Sequence, residues 1–182
     1  MSLISRLKAV VAGDDYLDDD FDELDYESEN DFNSINDQRV NHRNSNSFSG
    51  SNPFDFIHSV DSYKKLLKIS EVAVELQKMP NVFIQIKLAH DPEKAGLNYS
   101  EVIANWYNIK QIMGIRIIGL MTINPKGLNA EENFELFNKC RLIADKLDLP
   151  HCSMGMSNDW EEAIKAGATW IRLGSLIFGK RL

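Results

Sequence analysis

The chain has 182 residues, 43% of them hydrophobic and 26% charged, enough for one soluble core. Its net charge of −7 is concentrated in the first third. Residues 1–56 hold four basic and thirteen acidic residues, while the remainder is close to neutral, so no basic stripe points to nucleic acid. No apolar run reaches the length of a membrane span, and no secretory leader pattern opens the chain. The two cysteines, Cys140 and Cys152, form no CxxC motif and no disulfide framework, which fits a reducing, cytoplasmic setting.

The first segment, "MSLISRLKAVVAG" (1–13), carries Met1, Ile4, Leu7 and Val11 at helical spacing, with Arg6 and Lys8 on the sides. It predicts a short amphipathic helix, too short to be stable alone in water but suited to an anionic membrane surface. Eleven acids follow between Asp14 and Asp31, a run whose self-repulsion predicts a solvated, disordered tail. It lacks the spaced glycine and closing glutamate of a calcium loop, and a Ser/Asn-rich linker carries it to about Pro53. The organisation expected is therefore a helix at 1–13, a disordered linker over 14–53, and a folded part over 54–182.

From residue 54 the pattern alternates between strand and helix. "FDFIHS" (54–59) predicts a strand, and the helix across 60–79 places Tyr63, Leu66, Leu67, Ala73 and Leu76 on one face. "NVFIQIKLA" (81–89) predicts a buried strand with Gln85 and Lys87 opposite Ile84 and Ile86. Asp91-Pro92-Glu93 predicts a turn. Asn98 and Glu101 have capping-box spacing, ahead of a helix bearing Val102, Ile103, Trp106, Ile109 and Met113. "IRIIGLMTI" (115–123) predicts a strand covered on both faces. Asn129 and Glu132 repeat the cap before a helix that buries Phe134, Phe137, Cys140, Ala144 and Leu147. "HCSMG" (151–155) predicts a strand, Ser157 opens a helix to about Ala166, and "TWIRLG" (169–174) predicts the last strand. Five strands separated by four helices predict right-handed βαβ units and a parallel sheet.

The last two turns carry the chemistry. Ser157 lies where a strand hands over to a helix, and helix starts present free N–H groups that suit a phosphate. Gly174, seventeen residues on, lets backbone approach a ligand closely, and Ser175 adds a hydroxyl. Barrels of eight βα units often hold phosphate in the loops after their last two strands. Two plainer roles stand beside this one: Ser157 as an N-cap, with Asp159, Glu161 and Glu162 in the first turn, and Gly174 as a simple chain reversal. His58, His90 and His151 are too scattered for a metal site.

The motifs "IHSVDS", "GLMTINP", "MGMSNDWEEAI" and "GATWIRLGSLIFGKR", in this order over about residues 55–182, resemble the pyridoxal phosphate (PLP) homeostasis proteins, the YggS family. The resemblance implies the PLP-binding barrel of the alanine racemase N-terminal domain. It implies that Ser157, Gly174 and Ser175 hold the cofactor phosphate and that Arg172 faces the pyridine nitrogen. It also implies an α/β fold that is an incomplete (β/α)8 TIM barrel of about five parallel strands behind a disordered acidic tail. The family's first strands, with the lysine that bonds to PLP, have no counterpart in this sequence before Ile57. Binding of PLP or phosphate is therefore expected to be weak or non-covalent, with no strong enzyme activity and no catalytic residue assigned. Lys87 lies on a different strand from the family lysine, so it is expected to line the barrel rather than replace it. An opened barrel leaves strand edges unpaired, which predicts marginal stability and self-association.

Residues 1–56 resemble the N-terminal tail of cyanobacterial SepF, a membrane-associated cell-division protein. That implies a membrane contact through residues 1–13 and an alternative role as a division adaptor carrying a barrel fragment. Together the two resemblances imply a chimeric chain joined at "NPFDFIHSVDS", with a piece lacking any function as the third reading.

Overall fold

The computed structural model describes residues 55–89, 91 and 94–179. The amphipathic helix expected over 1–13 and the linker expected over 14–53 lie outside the described residues, as does most of the turn at 91–93. Strand β1 (Phe56–Val60) leads through helix α1 (Tyr63–Glu75) to β2 (Asn81–Lys87). A two-residue strand β3 (Leu97–Asn98) runs directly into α2 (Tyr99–Lys110), followed by β4 (Arg116–Met121) and α3 (Ala130–Lys146). The chain closes with β5 (His151–Met156), α4 (Trp160–Lys165), β6 (Trp170–Arg172) and the four-residue α5 (Ser175–Phe178).

The main strands lie in the order β1-β2-β4-β5-β6, all parallel, and curl into about half of a barrel. The five parallel strands and four intervening helices read from the sequence are all present; β3, which pairs with β2, and α5 are additional. Because each crossover returns the chain to start the next strand alongside the last, all C-terminal strand ends gather on one rim.

The two faces of the sheet differ as period-2 geometry requires. Ile57, Val82, Ile84, Ile86, Leu120, Cys152 and Met154 share one apolar core with Leu66, Val102, Phe137 and Ala163 of the helices. The alternate residues, Phe83 and Ser153 among them, lie on the concave face. Burial is narrower than the helical spacing suggests. Leu67, Ile103 and Phe134, expected on buried faces, are exposed, because the sheet covers only a stripe of each helix, and Met113 is exposed because α2 ends before it, at Lys110. Ile69, Val72 and Ile143 bury instead.

The capping boxes form as their spacing predicts. The Asn98 N–H donates to Glu101 Oε2 at 2.7 Å, and the Asn129 N–H donates to Glu132 Oε2 at 2.8 Å. Helix ends were harder to foresee. In α1 the Lys78 N–H donates to the Ala73 carbonyl at 2.9 Å around Gln77, whose φ is +52°. In α3 the Leu149 N–H donates to the Ala144 carbonyl around Asp148, with φ +57°. Both are left-handed C-terminal caps built without the usual glycine, so α1 stops at Glu75 rather than near residue 79.

Two glycines make the close packing at β4 and β5 possible. A Cβ on Gly119 would stand 2.3 Å from the His151 carbonyl oxygen and 2.7 Å from the Phe83 ring. One on Gly155, whose φ is +88°, would stand 2.5 Å from Ala163 Cβ. A Cβ on Gly174 would meet nothing within 4 Å. Gly119→Ala and Gly155→Ala should each lower unfolding free energy by about 2 kcal/mol, whereas Gly174→Ala should change it by less than about 0.5 kcal/mol. Urea titrations of the three variants measure this ranking, and equal costs at all three positions would contradict it.

Candidate functional site

Ser157 follows the last residue of β5, but it does not cap a helix. That place belongs to Asp159, because α4 begins at Trp160. The Asp159 carboxylate accepts from the Met156 N–H at 2.6 Å, and the Asp159 N–H donates to the Met156 carbonyl at 3.2 Å. This local turn outcompetes an early helix start, a role short polar side chains favour. It leaves the Ser157 hydroxyl free to face the next turn.

There the Ser157 oxygen accepts from two backbone donors, Gly174 N–H at 3.3 Å and Leu176 N–H at 3.2 Å. One hydroxyl thus ties the β5–α4 turn to the β6–α5 turn. With its oxygen accepting twice, its proton remains available to an acceptor outside. Ser175, at the first position of α5, is exposed, and its N–H precedes any intrahelical partner. Ser157, Gly174 and Ser175 therefore form one cup on the rim, with open space over Gly174.

Arg172, the last residue of β6, lies on the concave face. Its Nη1 donates to Ser153 Oγ at 2.8 Å and its Nη2 to the Thr122 carbonyl at 3.1 Å. Ser153 Oγ also lies 2.8 Å from His58 Nδ1. Aromatic rings wall this cluster. The His58 ring stacks on Phe83 at 4.3 Å and meets Trp170 edge-on at 5.3 Å, and Phe56 packs on Trp170 at 4.9 Å. Burial pushes the Arg172 guanidinium below its ordinary value, and the charge of Asp159 partly restores it. Burial, then the charge of Arg172, lowers His58 as well.

In the sequence His58 stands out only as a histidine too scattered for a metal site, and Ser153 belongs to no motif turn. Their signal was alternation: His58 follows Ile57, and Ser153 sits between Cys152 and Met154, so each is a polar residue on the face opposite the apolar core. Gln85 and Lys87 alternate in the same way. Gln85 Nε2 donates to the Ala95 carbonyl at 2.7 Å, and Lys87 lines a small cavity between the ends of β2 and β4 with Thr122 and Asn124. Cys140 and Cys152 are both free and buried behind the sheet, outside the cup. A shared hydrogen bond and burial push the Cys140 thiol up. Among the described residues no cluster of histidine, cysteine and carboxylate could hold a metal ion.

A curled parallel α/β sheet whose last two strands end in turns tied together by one serine hydroxyl defines part of a (β/α)8-type barrel. The description "Alanine racemase, N-terminal domain" fits residues 47–181, and the chain belongs to that family. The pyridoxal phosphate homeostasis protein of Synechocystis sp. is 40% identical over 135 residues, covering 71% of this chain and 62% of that protein. PipY of Synechococcus elongatus PCC7942, solved with PLP bound, superposes with a TM-score of 0.66 at 39% identity, over 69% of this chain and 61% of PipY. The cell division protein SepF of Prochlorococcus marinus (strain MIT 9515) is 71% identical over 59 residues, 32% of this chain and 31% of that protein. The chain thus spans somewhat less than two thirds of the length of the PLP relatives it matches.

The lowered proton affinity of His58 links stability to pH. Between the folded value and the ordinary value near 6.5 the unfolded chain binds more protons, so the stabilising contribution is whole above about pH 6.5 and is lost as pH falls below it. Urea unfolding at pH 7.5 and 5.5 should show a larger fall for the parent chain than for His58→Phe. An equal fall in both would show that His58 is not the group responsible.

Proposed function

We propose that residues 54–182 bind pyridoxal 5'-phosphate reversibly, as a cofactor carrier rather than a broad catalyst, in the cytoplasm. The observation that carries this reading is the Ser157 oxygen joining two turns through the N–H groups of Gly174 and Leu176. Ser157 and Ser175 supply hydroxyls to the phosphate, and Gly174 leaves room for it. The fit is supported by the chain itself, which puts no atom where a Gly174 side chain would go and so has no structural need for glycine there. When bound, the cofactor supplies a reactive carbonyl and an electron-withdrawing ring. Arg172 donates to the ring nitrogen and disfavours its protonation, because a second cation beside the guanidinium is costly. That keeps the ring a weak electron sink, which suits storage and delivery. Residues 1–182 offer no counterpart to the family lysine ahead of β1, and Lys87 sits at the end of β2, so the binding is proposed to be non-covalent.

Titration calorimetry with PLP and with inorganic phosphate tests this. Ser157→Ala should weaken both ligands about tenfold, the share of one hydrogen bond to a charged group. Gly174→Val should weaken both at least as much without loss of stability, since its φ of −113° is open to any residue. Arg172→Ala should weaken PLP alone. Borohydride reduction followed by mass spectrometry should find no pyridoxyl-lysine. Parent-like binding of both ligands by Ser157→Ala and Gly174→Val would refute the cup, and a stoichiometric pyridoxyl-lysine would refute the non-covalent mode.

The 71% identity to SepF favours a second role, contact of residues 1–13 with a membrane surface, the linker at 14–53 acting as a tether. Co-sedimentation with phosphatidylglycerol vesicles should carry the full chain down, and Leu7→Asp should release it. Equal sedimentation of the parent and Leu7→Asp would exclude this contact.

A further inference from the structure

We propose that Ser153 and His58 are positioning residues that aim Arg172 across the concave face. The inference rests on Arg172 as the donor to the cofactor ring, and it concerns how that donor is held.

The donor inventory decides the direction of each bond. A guanidinium has only donors, so Ser153 Oγ must accept from Arg172 Nη1 across the 2.8 Å between them. Ser153 is fully buried, so its own hydroxyl proton needs an acceptor. His58 Nδ1, at 2.8 Å, is the one other partner of Ser153 Oγ among the described residues. The serine therefore donates to His58 Nδ1, and the imidazole carries its proton on Nε2. Desolvation of the ring by Phe83 and Trp170 favours this neutral form, and so does the nearby guanidinium.

The relay crosses three strands, from His58 on β1 through Ser153 on β5 to Arg172 on β6. The Thr122 carbonyl at the end of β4 fixes the second nitrogen of the fork. No carboxylate forms an ion pair with Arg172 among the described residues, so neutral acceptors set its direction. An Asp or Glu partner would draw the guanidinium's charge to itself, whereas a hydroxyl and a carbonyl leave it free to act on a neutral ring nitrogen.

Nitrogen-15 NMR of the ligand-free full chain tests the relay directly. His58 should show an unprotonated Nδ1 and a protonated Nε2. The Arg172 Nη signals should be resolved by restricted rotation and should average in Ser153→Ala. A protonated Nδ1, or Arg172 signals unchanged in Ser153→Ala, would overturn the proposal whether or not PLP binds. Ligand titrations give the functional arm. Ser153→Ala and His58→Phe should each weaken PLP about three- to tenfold and leave phosphate affinity unchanged. His58→Asn, which keeps an acceptor near the Nδ1 position, should recover most of the loss. Ser153→Ala added to Arg172→Ala should cost nothing further. Additive losses, or equal losses for phosphate and PLP, would overturn the positioning role. An intact relay in a chain that binds neither ligand would refute the cofactor reading and leave the geometry standing.

Discussion

A parallel strand can be followed by its neighbour only after the chain has been carried back across the sheet. That return needs a helix, the helix needs an apolar strip of sheet to lie on, and the strip must be the same face each time. In this protein α1, α2, α3 and α4 all cover the convex face, through Val82, Ile84, Ile86, Leu120, Cys152 and Met154. The opposite face is thereby released from covering helices. It is where Gln85, His151, Ser153 and Arg172 stand. The same constraint places every strand's C-terminal end on one rim, so turns seventeen residues apart meet at a single hydroxyl.

Close approach completes the arrangement. The Phe83 ring fills the concave face only because Gly119 offers no side chain against it, and the ring in turn supports His58 by stacking. Gly155 plays the matching part on the helical side, letting α4 lie tightly over the end of β5. With α4 in place, Asp159 turns the chain back on Met156 and leaves Ser157 facing outward. Packing in the sheet thus determines which polar groups are available on the rim.

The electrostatics of the concave face follow from its walls. Phe83 and Trp170 pack on His58 beside Ser153, and the hydrogen-bond partners of the part-buried guanidinium are a hydroxyl and a carbonyl. A cation held by neutral acceptors keeps its field for whatever else enters. This is the physical basis on which a ring-nitrogen partner is proposed for it. Among the described residues β1 and β6 each have one neighbouring strand, and the side chains of Leu176, Ile177 and Phe178 stand exposed beside the rim. Apolar surface next to the cup is therefore a feature of this chain, whatever covers it.

Local chemistry was enough to read much of this from the residues in order. Asn98 with Glu101 and Asn129 with Glu132 announce helix starts, since both partners of a capping box lie within four residues. Alternation in "NVFIQIK" assigns Ile84 and Ile86 to one face and Gln85 to the other, because period 2 is a property of any strand. The strict succession of strands and helices implied the parallel sheet. The helix ends at Gln77 and Asp148 were not legible, because a left-handed residue other than glycine carries no distinctive signature. Nor was the partner of Ser157: a serine after a strand caps helices often enough that only the carboxylate of Asp159, already in that place, shows it is free for another use. His58 and Ser153 stand 95 positions apart, and no periodicity reaches that far. The sequence by itself determined which strand residues face the core, because period 2 is fixed by the strand, while the width of each helix's buried stripe was set by the sheet it lies on. Which polar residues touch one another on the other face was decided only when the crossovers brought β1, β5 and β6 around the same concave surface.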